Sequence, residues 1–596
     1  MGGPIKPIGP IIVKSGAQLE EKVAAKLLSM RVDREVGLIG RATLRFADKG
    51  YTLSSGTEFA LGTLMTIKHP NGGPMIDGTI TGVSLEQAAD NGIPHLVIVV
   101  DDAAYKLTRG TNIKAHLNGT FSSVAQEIIG KHGLTPMVDS SPGAIEYQLQ
   151  AGTDLDYLNA IAERTGFAWW VDGPKTMHVK KLKLAGPAAT LKLGEDLESF
   201  SVRASGLRPS KLTVNGWNPD TQQKVEGVNT EAPAGVSPDL IKSYVGGGPT
   251  AKLKPAEASV SDLPPLTPGE AKALADALYS EWEAAAVIAE GICDATDKLK
   301  PGVTVEVKDA GPASGKYLVT AVEHSFDGEG RYVTRFSCGS HRPSGLVDTL
   351  GAPPADAGFL ISGLVIGVVT DNADPDHAGR VKVKYSGING EIESPWARVV
   401  SLGAGQKRGI LFEPEVHDEV LVGFERGDTR RPVVLGGLHS KKNTLPTGSG
   451  PQAVDAGKVK YRRITSREDH FIEWGDGPAP TDQHILLLLG GTKKQKLRLG
   501  ADRFDIELIA GTPATIKAGV AKFEITEAGD INIEANNINI KANMQLTMQA
   551  ATIASLKGEA EVSVEANGVL NVKSSGMATI QASGPLAVKG MPVGIN

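Results

Sequence analysis

The sequence predicts a mainly β protein with a few helices, a small closed barrel in the middle of the chain and a β-prism at its C-terminal end. Three observations support this fold class. Glycine accounts for 71 of 596 residues while aromatic residues make up only 5%, and glycine-rich turns favour short strands over long helical bundles. Strand patterns punctuated by glycine fill residues 360–442. A repeat of eight residues fills the last part of the chain.

Length, charge and cysteine content narrow the functional classes. A chain of 596 residues is longer than a single hydrophobic core usually serves, so its length indicates several domains. The formal charge of −6 provides no general positive field for a phosphate backbone, so we expect no nucleic acid partner. Cys293 and Cys338 are too few for a disulfide framework or a four-thiolate zinc site. The first residues lack the pattern of a signal peptide, so we expect synthesis in the cytoplasm without one.

The N-terminal 350 residues predict strands interrupted by three helices. The first helix is expected over residues 121–132. The second has Thr153 as its N-cap, apolar residues three and four apart, and Gly166 at its end. The third has Pro268 in its first turn and is expected to reach Glu290.

Two further regions precede the repeats. The stretch 217–267 is rich in glycine, proline, serine and threonine and indicates a long loop or linker. Residues 360–442 contain five or six short strands, which indicate a small closed barrel. These strands are expected at 364–369, 380–385, 396–400, 409–412, 419–424 and 432–438. The barrel aromatics are spread over separate strands without a basic stripe, so a rigid connector is favoured over a binding site for nucleic acid or sugar.

The last 75 or so residues repeat a unit of eight residues. Apolar residues occupy its first and third positions, a polar residue the fourth and, in eight of nine units, a small residue the fifth. The alternation is typical of a strand, and the recurring small residue allows a tight corner. The sequence therefore predicts short strands separated by regular bends.

One such ribbon cannot bury its apolar residues against itself, so several copies must share a core. Three chains around a common axis give each apolar pair two partners and leave no free strand edge along the shaft. We therefore predict a homotrimeric prism. Its expected core residues are Ile531, Ile533, Ile538, Ile540, Leu546, Met548, Leu556, Val562, Val564, Leu570, Val572, Ile580, Leu586 and Val588. The alternatives are a single-chain β-helix, which needs a longer repeat, and amyloid-like association, which the charges at the fourth position oppose.

No catalytic, cofactor-binding or metal-binding residues are predicted. The segment 311–316 has three residues rather than four between its glycines, and Tyr317 follows its lysine, unlike a phosphate-binding loop. The twelve histidines are scattered singly. Asp154 and Asp156 lie two residues apart on a helix and do not face each other, so capping and solvation explain them better than acid–base chemistry. We therefore expect neither an enzyme nor a cofactor.

Several blocks of sequence resemble one family. The blocks DPDHAGRVKVKY (374–385), WARV (396–399) and FEPEVHDEVLVGFERGDTRRPVVLGGL (412–438) resemble the oligonucleotide/oligosaccharide-binding (OB) barrel of VgrG proteins and contractile phage tail spikes. TDLDYLNAIAERTGFAWWVDG (153–173) and the segment 121–136 are similar to motifs in the hub domains of VgrG and phage late-control proteins. The blocks follow the family's own order over most of the chain.

This resemblance implies a hub of two β-barrel-like subdomains with a few helices at 1–350, an OB-fold barrel at 360–442, a collar or linker at 443–515 and a triple-stranded β-helix needle at 516–596. It implies a structural homotrimeric spike of a contractile injection system, which links the inner tube to a needle that punctures the target envelope and helps to deliver cargo. The expected setting is an extracellular, phage-tail-like particle. A type VI secretion VgrG spike and a true phage tail spike are alternatives, and a cell-wall hydrolase is the alternative of another class.

The resemblance also implies partners. These are two further copies of the chain, the inner tube protein at the hub, other baseplate proteins, cargo effectors and, transiently, the target membrane or envelope. No histidine follows His484, so the needle cannot build the paired-histidine iron site found at the tip of some phage spikes. A separate tip protein of the PAAR-repeat type is therefore expected at the needle end.

Overall fold

The computed structural model of the chain describes residues 9–87, 92–141, 144–204, 209–230, 256–261, 265–285, 287–339, 361, 363–388, 390–446, 453–491 and 494–595. The chain divides into two compact units, Met1–Leu445 and Pro446–Asn596. Strands predominate in both, so the predicted mainly β fold with few helices and a small barrel is confirmed. None of the helices in the described ranges has the length and hydropathy needed to span a membrane.

The described part of the first unit contains four α-helices and a succession of strands before its barrel. The helices are α1 (Glu21–Ala24), α2 (Phe121–Lys131), α3 (Asp154–Thr165) and α4 (Pro268–Ala284). The strands are β1 (Ile11–Lys14), β2 (Ala17–Gln18), β3 (Leu27–Glu35), β4 (Arg41–Ala47), β5 (Leu64–Lys68), β6 (Pro74–Glu86), β7 (His95–Asp101), β8 (Asn112–Gly119), β9 (Thr135–Val138), β10 (Ile145–Gly152), β11 (Ala168–Asp172), β12 (Thr176–Lys180), β13 (Pro187–Lys192), β14 (Leu197–Ala204), β15 (Lys211–Asn218), β16 (Gln223–Asn229), β17 (Glu257–Val260), β18 (Val287–Asp294), β19 (Thr304–Lys308), β20 (Gly315–Phe326) and β21 (Tyr332–Cys338).

Most of these strands lie in one sheet of thirteen strands. Its main path runs β14-β18-β21-β20-β3-β4-β7-β6-β5-β1-β2, and β19 joins β13 to β20. One hydrophobic core lies along β3 to β7 and includes Met30 and Leu44. A second core lies along β18 to β21 and includes Tyr317 and Phe336. Each half of the sheet therefore has its own core, and the pairing of β3 with β20 joins the halves.

The helices α2 and α3 pack on a third core and begin where the sequence predicts. The Thr153 hydroxyl accepts a hydrogen bond from the Asp156 amide at 3.1 Å, and the Asp156 carboxylate accepts one from the Thr153 amide at 3.1 Å. Gly166 ends α3 with a φ of +68°, where a side chain is strained. A Cβ atom there would also lie 2.7 Å from the Cα of Ala277 in α4. Glycine therefore both ends α3 and lets α4 approach it.

Two predictions around α4 are wrong in part. The helix ends at Ala284 rather than Glu290, because Val287–Asp294 forms β18 with alternately buried side chains. The stretch 217–267 is not only a loop, since β15, β16 and β17 form a small sheet and its Val214 packs on α4. The triplet 246–248 of that stretch lies outside the described residues.

The predicted barrel is present with five strands. These are β22 (Leu364–Asp371), β23 (Arg380–Lys384), β24 (Ala397–Val399), β25 (Glu419–Phe424) and β26 (Pro432–Gly437), which close in the order β22-β23-β24-β26-β25. Val369, Val383 and Val422 are fully buried inside it. The segment 409–412 is not a strand as predicted but part of a loop. The barrel closes without this segment because β24 pairs directly with β26.

The second unit contains short antiparallel strands. They are β27 (Val454–Asp455), β28 (Lys458–Val459), β29 (Tyr461–Thr465), β30 (Phe471–Asp476), β31 (Gln483–Leu488), β32 (Lys496–Gly500), β33 (Phe504–Glu507), β34 (Ala514–Ala518), β35 (Ala521–Ile525) and β36 (Ile531–Glu534). β29 to β33 form one sheet in sequence order, and β34 to β36 form another. Beyond them the backbone bends at residues 543–544, 551–552, 559–560, 567–568, 575–576, 583–584 and 591–592, which is once every eight residues.

Candidate functional site

The candidate site is an apolar surface in the second unit. Among the described residues, no hydrophobic side chain after Val434 is buried. From residue 536 to 595 every side chain is exposed. The apolar residues fall into three successive segments. We term them the collar face (one side of β29 to β33), the bridging sheet (β34 to β36) and the octads (the repeats from 531 to 589).

The collar face is continuous across five strands. Ile472 lies opposite Ile464 on one neighbouring strand and opposite Leu487 on the other, and residues directly opposite each other in a sheet share a face. The same registers place nine apolar residues on this face, namely Ile464, Ile472, Trp474, Ile485, Leu487, Leu497, Leu499, Phe504 and Ile506. Eight of the nine are exposed, from 38% at Ile472 to 63% at Ile506. One chain therefore leaves this face in water.

The opposite side of the same sheet carries a hydrogen-bonded ionic cluster. Glu473 is buried there and accepts a hydrogen bond from Arg463 Nε at 2.7 Å. Its other oxygen lies 3.0 Å from His484 Nε2. The Arg463 guanidinium stacks 4.0 Å from the centre of the Phe471 ring. Strand alternation thus places this ionic cluster and the uncovered apolar face on opposite sides of the sheet.

The bridging sheet aligns the first repeats with one another. Phe523 lies opposite Ile516 and Ile533, and Ile525 lies opposite Ile531. The apolar pairs of successive units are therefore on one face of this sheet. Ile516, Ile531 and Ile533 are exposed on it. The alternation that the sequence predicts is present here as real strand pairing.

The octads carry the predicted trimer core. All fourteen residues are exposed in the single chain, from 48% at Val562 to 85% at Val572. They are Ile531, Ile533, Ile538, Ile540, Leu546, Met548, Leu556, Val562, Val564, Leu570, Val572, Ile580, Leu586 and Val588. Their burial between chains stays a prediction.

The bends correct one detail of the repeat. They fall at the sixth and seventh positions of each unit rather than at the small fifth residue. Three consecutive bends are Asn567-Gly568, Ser575-Gly576 and Ser583-Gly584, and these residue types favour turns through glycine's backbone freedom and side-chain bonds to the backbone. These turn-forming dipeptides are the sequence feature that marks where the backbone bends.

Sequence reasoning missed the collar face. The apolar run 485–489 is too short for a membrane span, which needs about 20 residues, and by periodicity alone it cannot be told from a buried helix segment. Its partner strands are 471–476 and 496–500. In the second of these, Leu497 and Leu499 alternate with charged residues, which predicts a half-buried strand. Reading the three segments together would have indicated the sheet.

Buried charges join the barrel to the helices within the first unit. Arg430, in the turn between β25 and β26, donates to Asp428 Oδ2 and to Glu270 Oε1 of α4, both at 2.8 Å. Arg164 of α3 donates to the same Glu270 oxygen at 3.1 Å. Burial opposes the ionisation of Asp428, but the charge of Arg430 outweighs it and lowers the pKa of that carboxyl. We term Arg164, Glu270, Asp428 and Arg430 the buried quartet.

Residues considered for other chemistry have structural surroundings. The segment 311–316 joins the antiparallel strands β19 and β20, whereas a phosphate loop leads from a strand into a helix. Tyr385 and Phe424 pack edge to face in the barrel interior, with ring centres 5.6 Å apart. In the described ranges, no group of three or more histidine, cysteine or acidic residues has a geometry that could hold a metal ion.

The interpretation of Asp154 as a solvated residue is wrong. Asp156 caps α3, but Asp154 is buried and its carboxylate accepts hydrogen bonds from Gln150 Nε2 at 2.7 Å and Asn112 Nδ2 at 2.9 Å. His132 Nε2 lies 2.7 Å from its other oxygen. Burial opposes ionisation, but these hydrogen bonds outweigh it and lower the pKa of Asp154. The residue holds β8, β10 and the end of α2 together.

Comparison with known families assigns the N-terminal half. Residues 7–327, more than half of the chain, match the Alg8 N-terminal domain. The chain belongs to the Alg8 N-terminal domain family. Residues 365–439 of this Alg8-type chain match the type VI secretion system/phage-baseplate injector OB domain, and this range contains the closed barrel.

The Alg8-type chain is also similar to spike proteins. The type VI secretion system spike protein VgrG3 of Vibrio cholerae is 36% identical over 100 residues, which cover 16% of this chain and 10% of VgrG3. VgrG5 of Pseudomonas aeruginosa is 28% identical over 159 residues, covering 24% of this chain and 19% of VgrG5. The chain thus aligns with less than a fifth of either relative's length. The resemblance to VgrG and contractile tail spikes is confirmed.

A solved structure shares the fold. A chain in the half-lidded Francisella PdpA–VgrG complex aligns over 84% of the Alg8-type chain and 87% of its own length, with a TM-score of 0.50 and 8% identity. At this identity the likeness concerns the fold alone.

Proposed function

We propose that the Alg8-type chain is the structural spike of a contractile injection system and acts as a homotrimer. The apolar surface that runs through the collar face, the bridging sheet and the octads carries this proposal. Apolar surface of this extent is stable in a protein only when a partner covers it. The OB-domain match and the VgrG spike relatives supply the setting.

Three copies suit the repeat better than two. Each ribbon presents one apolar pair per eight residues and has two free edges. In a three-sided prism each pair meets two others on the axis, and each edge has a neighbouring chain to bond with. Hydrogen bonds between chains along the shaft then resist bending and unravelling, which a needle needs when sheath contraction drives it forward.

We propose that the hub, residues 1–350 of the first unit, docks on the inner tube protein and that the spike also contacts other baseplate proteins. The buried quartet ties the barrel to α3 and α4 through the shared Glu270 carboxylate. Tyr147 and Leu149 of β10 also pack against Ile392 of the barrel region. Force that enters the hub would therefore pass to the barrel through a packed contact rather than a flexible linker.

We place the spike in an extracellular, phage-tail-like particle whose needle punctures a target envelope, helps to deliver cargo and carries a separate PAAR-type tip protein. Type VI secretion and true phage tails are the alternatives. Neighbouring genes for sheath, tube and ATPase proteins discriminate among the three.

Ultracentrifugation of the purified chain tests the proposal. We expect a species with three times the chain mass of 62.4 kDa. A stably folded monomer at micromolar concentration would contradict it. Deleting the gene from a strain that makes the particles should abolish assembled sheathed particles, and the wild-type gene should restore them.

We also propose that the role is structural rather than enzymatic. The relatives named as spike proteins support this. The competing function is cell-wall hydrolysis, and a zymogram separates the two. Clearing of peptidoglycan by the purified trimer would overturn the structural interpretation.

A further inference from the structure

The barrel exposes an apolar loop that its own core does not use. We term residues 400–418, between β24 and β25, the barrel loop. Every residue from Leu402 to Glu413 is exposed. Its large apolar side chains include Leu402 at 75%, Leu411 at 80% and Phe412 at 60% exposure, in a barrel whose core valines are buried. Contiguous exposed apolar groups on a folded body mark an interaction surface.

This loop is held in shape by its own backbone. Gly405 and Arg408 exchange hydrogen bonds of 3.0 and 3.1 Å, and the Ile410 amide donates to the Leu402 carbonyl at 3.0 Å. Both ends are tied to the barrel, since Val400 donates to Val434 and His417 donates to Val369, each at 2.9 Å. The apolar side chains are therefore presented by an ordered hairpin and not by a frayed segment.

Opposite charges lie at the two ends of the apolar stretch. Lys407 and Arg408 form its basic tip, while Glu413, Glu415 and Asp418 form its acidic base. In the described part of the chain, no ion pair engages Lys407 or Glu413. A surface with a basic end, an apolar middle and an acidic end is complementary to a second copy of itself placed head to tail.

We propose that the barrel loops of neighbouring protomers dock head to tail, with the basic tip of one loop on the acidic base of the next and Leu411 and Phe412 packed between them. The proposal rests on the trimer of the proposed function. Three heterologous contacts of this kind close a ring around a threefold axis. An apolar centre with a charged rim is the usual anatomy of a protein interface. The barrels would then contribute a contact separate from that of the octads.

A carbodiimide cross-link between two complementary variants tests the contact. Lys407→Arg keeps the charge but removes the reactive amine, and Glu413→Gln removes the reactive carboxylate. When both full-length chains are co-expressed, a peptide joining Lys407 to Glu413 can form only between chains. We expect that cross-linked peptide in the mixed trimers and its absence from either variant alone. Both positions are exposed, so neither substitution should disturb folding.

The same sample separates failure of this inference from failure of the trimer. Ultracentrifugation that finds trimers, with no Lys407–Glu413 peptide in the mixture, overturns the loop contact and leaves the spike proposal intact. A monomer mass would overturn both. As a second variant, Leu411→Ser with Phe412→Ser in both chains should lower the cross-link yield at least fivefold while the trimer mass persists. An unchanged yield would count against the apolar contact.

Discussion

The two units of the chain treat apolar residues in opposite ways. The first buries large side chains such as Phe46, Trp169 and Tyr317 almost completely, whereas the described part of the second buries no hydrophobic side chain. Both are built from alternating strands, so secondary structure does not explain the contrast. The first unit pairs strands distant in sequence, such as β3 with β20, and so encloses a core. Local repetition in the second supplies register but no interior within one chain, and the proposed trimer would provide one.

Charged substitutions at the octad core positions should have the largest effect on assembly. Val564→Asp with Val572→Asp would place two carboxylates per chain at the trimer axis, where an unpaired charge costs several kcal/mol. We expect loss of trimers at micromolar concentration while the first unit stays folded and soluble. Ultracentrifugation and circular dichroism measure the two results.

A matched control uses the neighbouring outward positions. Ser563→Asp with Asn571→Asp adds the same charge one residue earlier in each unit and should leave the trimer mass unchanged. Equal dissociation by both pairs would mean that general repulsion, and not a core, governs assembly. Persistent trimers with the valine substitutions would show that the octads do not meet at an axis.

The collar face gives a smaller effect of the same kind. Ile485→Ser removes a branched side chain from the middle of the face and should cost about 2–3 kcal/mol for each of three chains. Its neighbour Gln483→Ser, at the polar edge of the same strand, should cost less than about 0.5 kcal/mol. Thermal dissociation followed at several protein concentrations compares them. Identical midpoints would exclude a buried collar face.

A substitution in the buried quartet tests whether the first unit is stable without partners. Glu270→Gln leaves Arg164 and Arg430 with one carboxylate, and breaking a buried ion network costs about 3–5 kcal/mol. We expect the first unit of this variant to unfold at a lower urea concentration than the wild type. The midpoint of the transition should not depend on protein concentration. Lys272→Ala removes an exposed pair with Asp276 on the same helix and should cost about 0.3–0.5 kcal/mol. A concentration-dependent midpoint for Glu270→Gln would show that the first unit also depends on partners.

Local chemistry made parts of this fold predictable. The two ends of α3, at Thr153 and Gly166, were predictable because capping depends on a few adjacent residues. The octad period was readable because each unit repeats the same alternation. The end of α4 could not be predicted in this way, since tertiary pairing of β18 overrides helix propensity after Ala284. The segment 409–412 has strand-like residues, but barrel closure by β24 and β26 excludes it.

The candidate site was predictable only where it repeats. The fourteen octad residues follow from a period, whereas the collar face depends on which of five strands pair and in what register. The buried quartet unites Arg164, Glu270, Asp428 and Arg430, which are separated by more than a hundred residues at two points. No sequence pattern marks such long-range partners, because their spacing is set by the fold.

A buried carboxylate in the first unit gives the most selective prediction. Asp102 accepts hydrogen bonds from the amides of Gly40 at 2.7 Å and Ala104 at 2.9 Å. Burial raises the pKa of Asp102 from 3.8 to about 6, although the Arg34 charge acts in the opposite direction. The folded state therefore binds this proton more tightly than the unfolded state. The stabilisation from this bound proton is fully present below pH 4 and is lost as the pH rises to about 6. It contributes at most about 3 kcal/mol to the free energy of unfolding.

Asp102→Asn should remove this one contribution. The stability difference between wild type and variant, measured by urea unfolding, should shift by about 2 kcal/mol in favour of the variant between pH 4 and pH 7. Carboxyls with lowered pKa values, such as Asp154 and Asp428, give slopes of the opposite sign but cancel in the difference. Asp220→Asn, at an exposed turn, is the matched control for the loss of one carboxylate. Because Asp102 lies inside one chain, the effect should be independent of protein concentration, and a dependence on concentration would place its burial in an assembly rather than in the first unit alone.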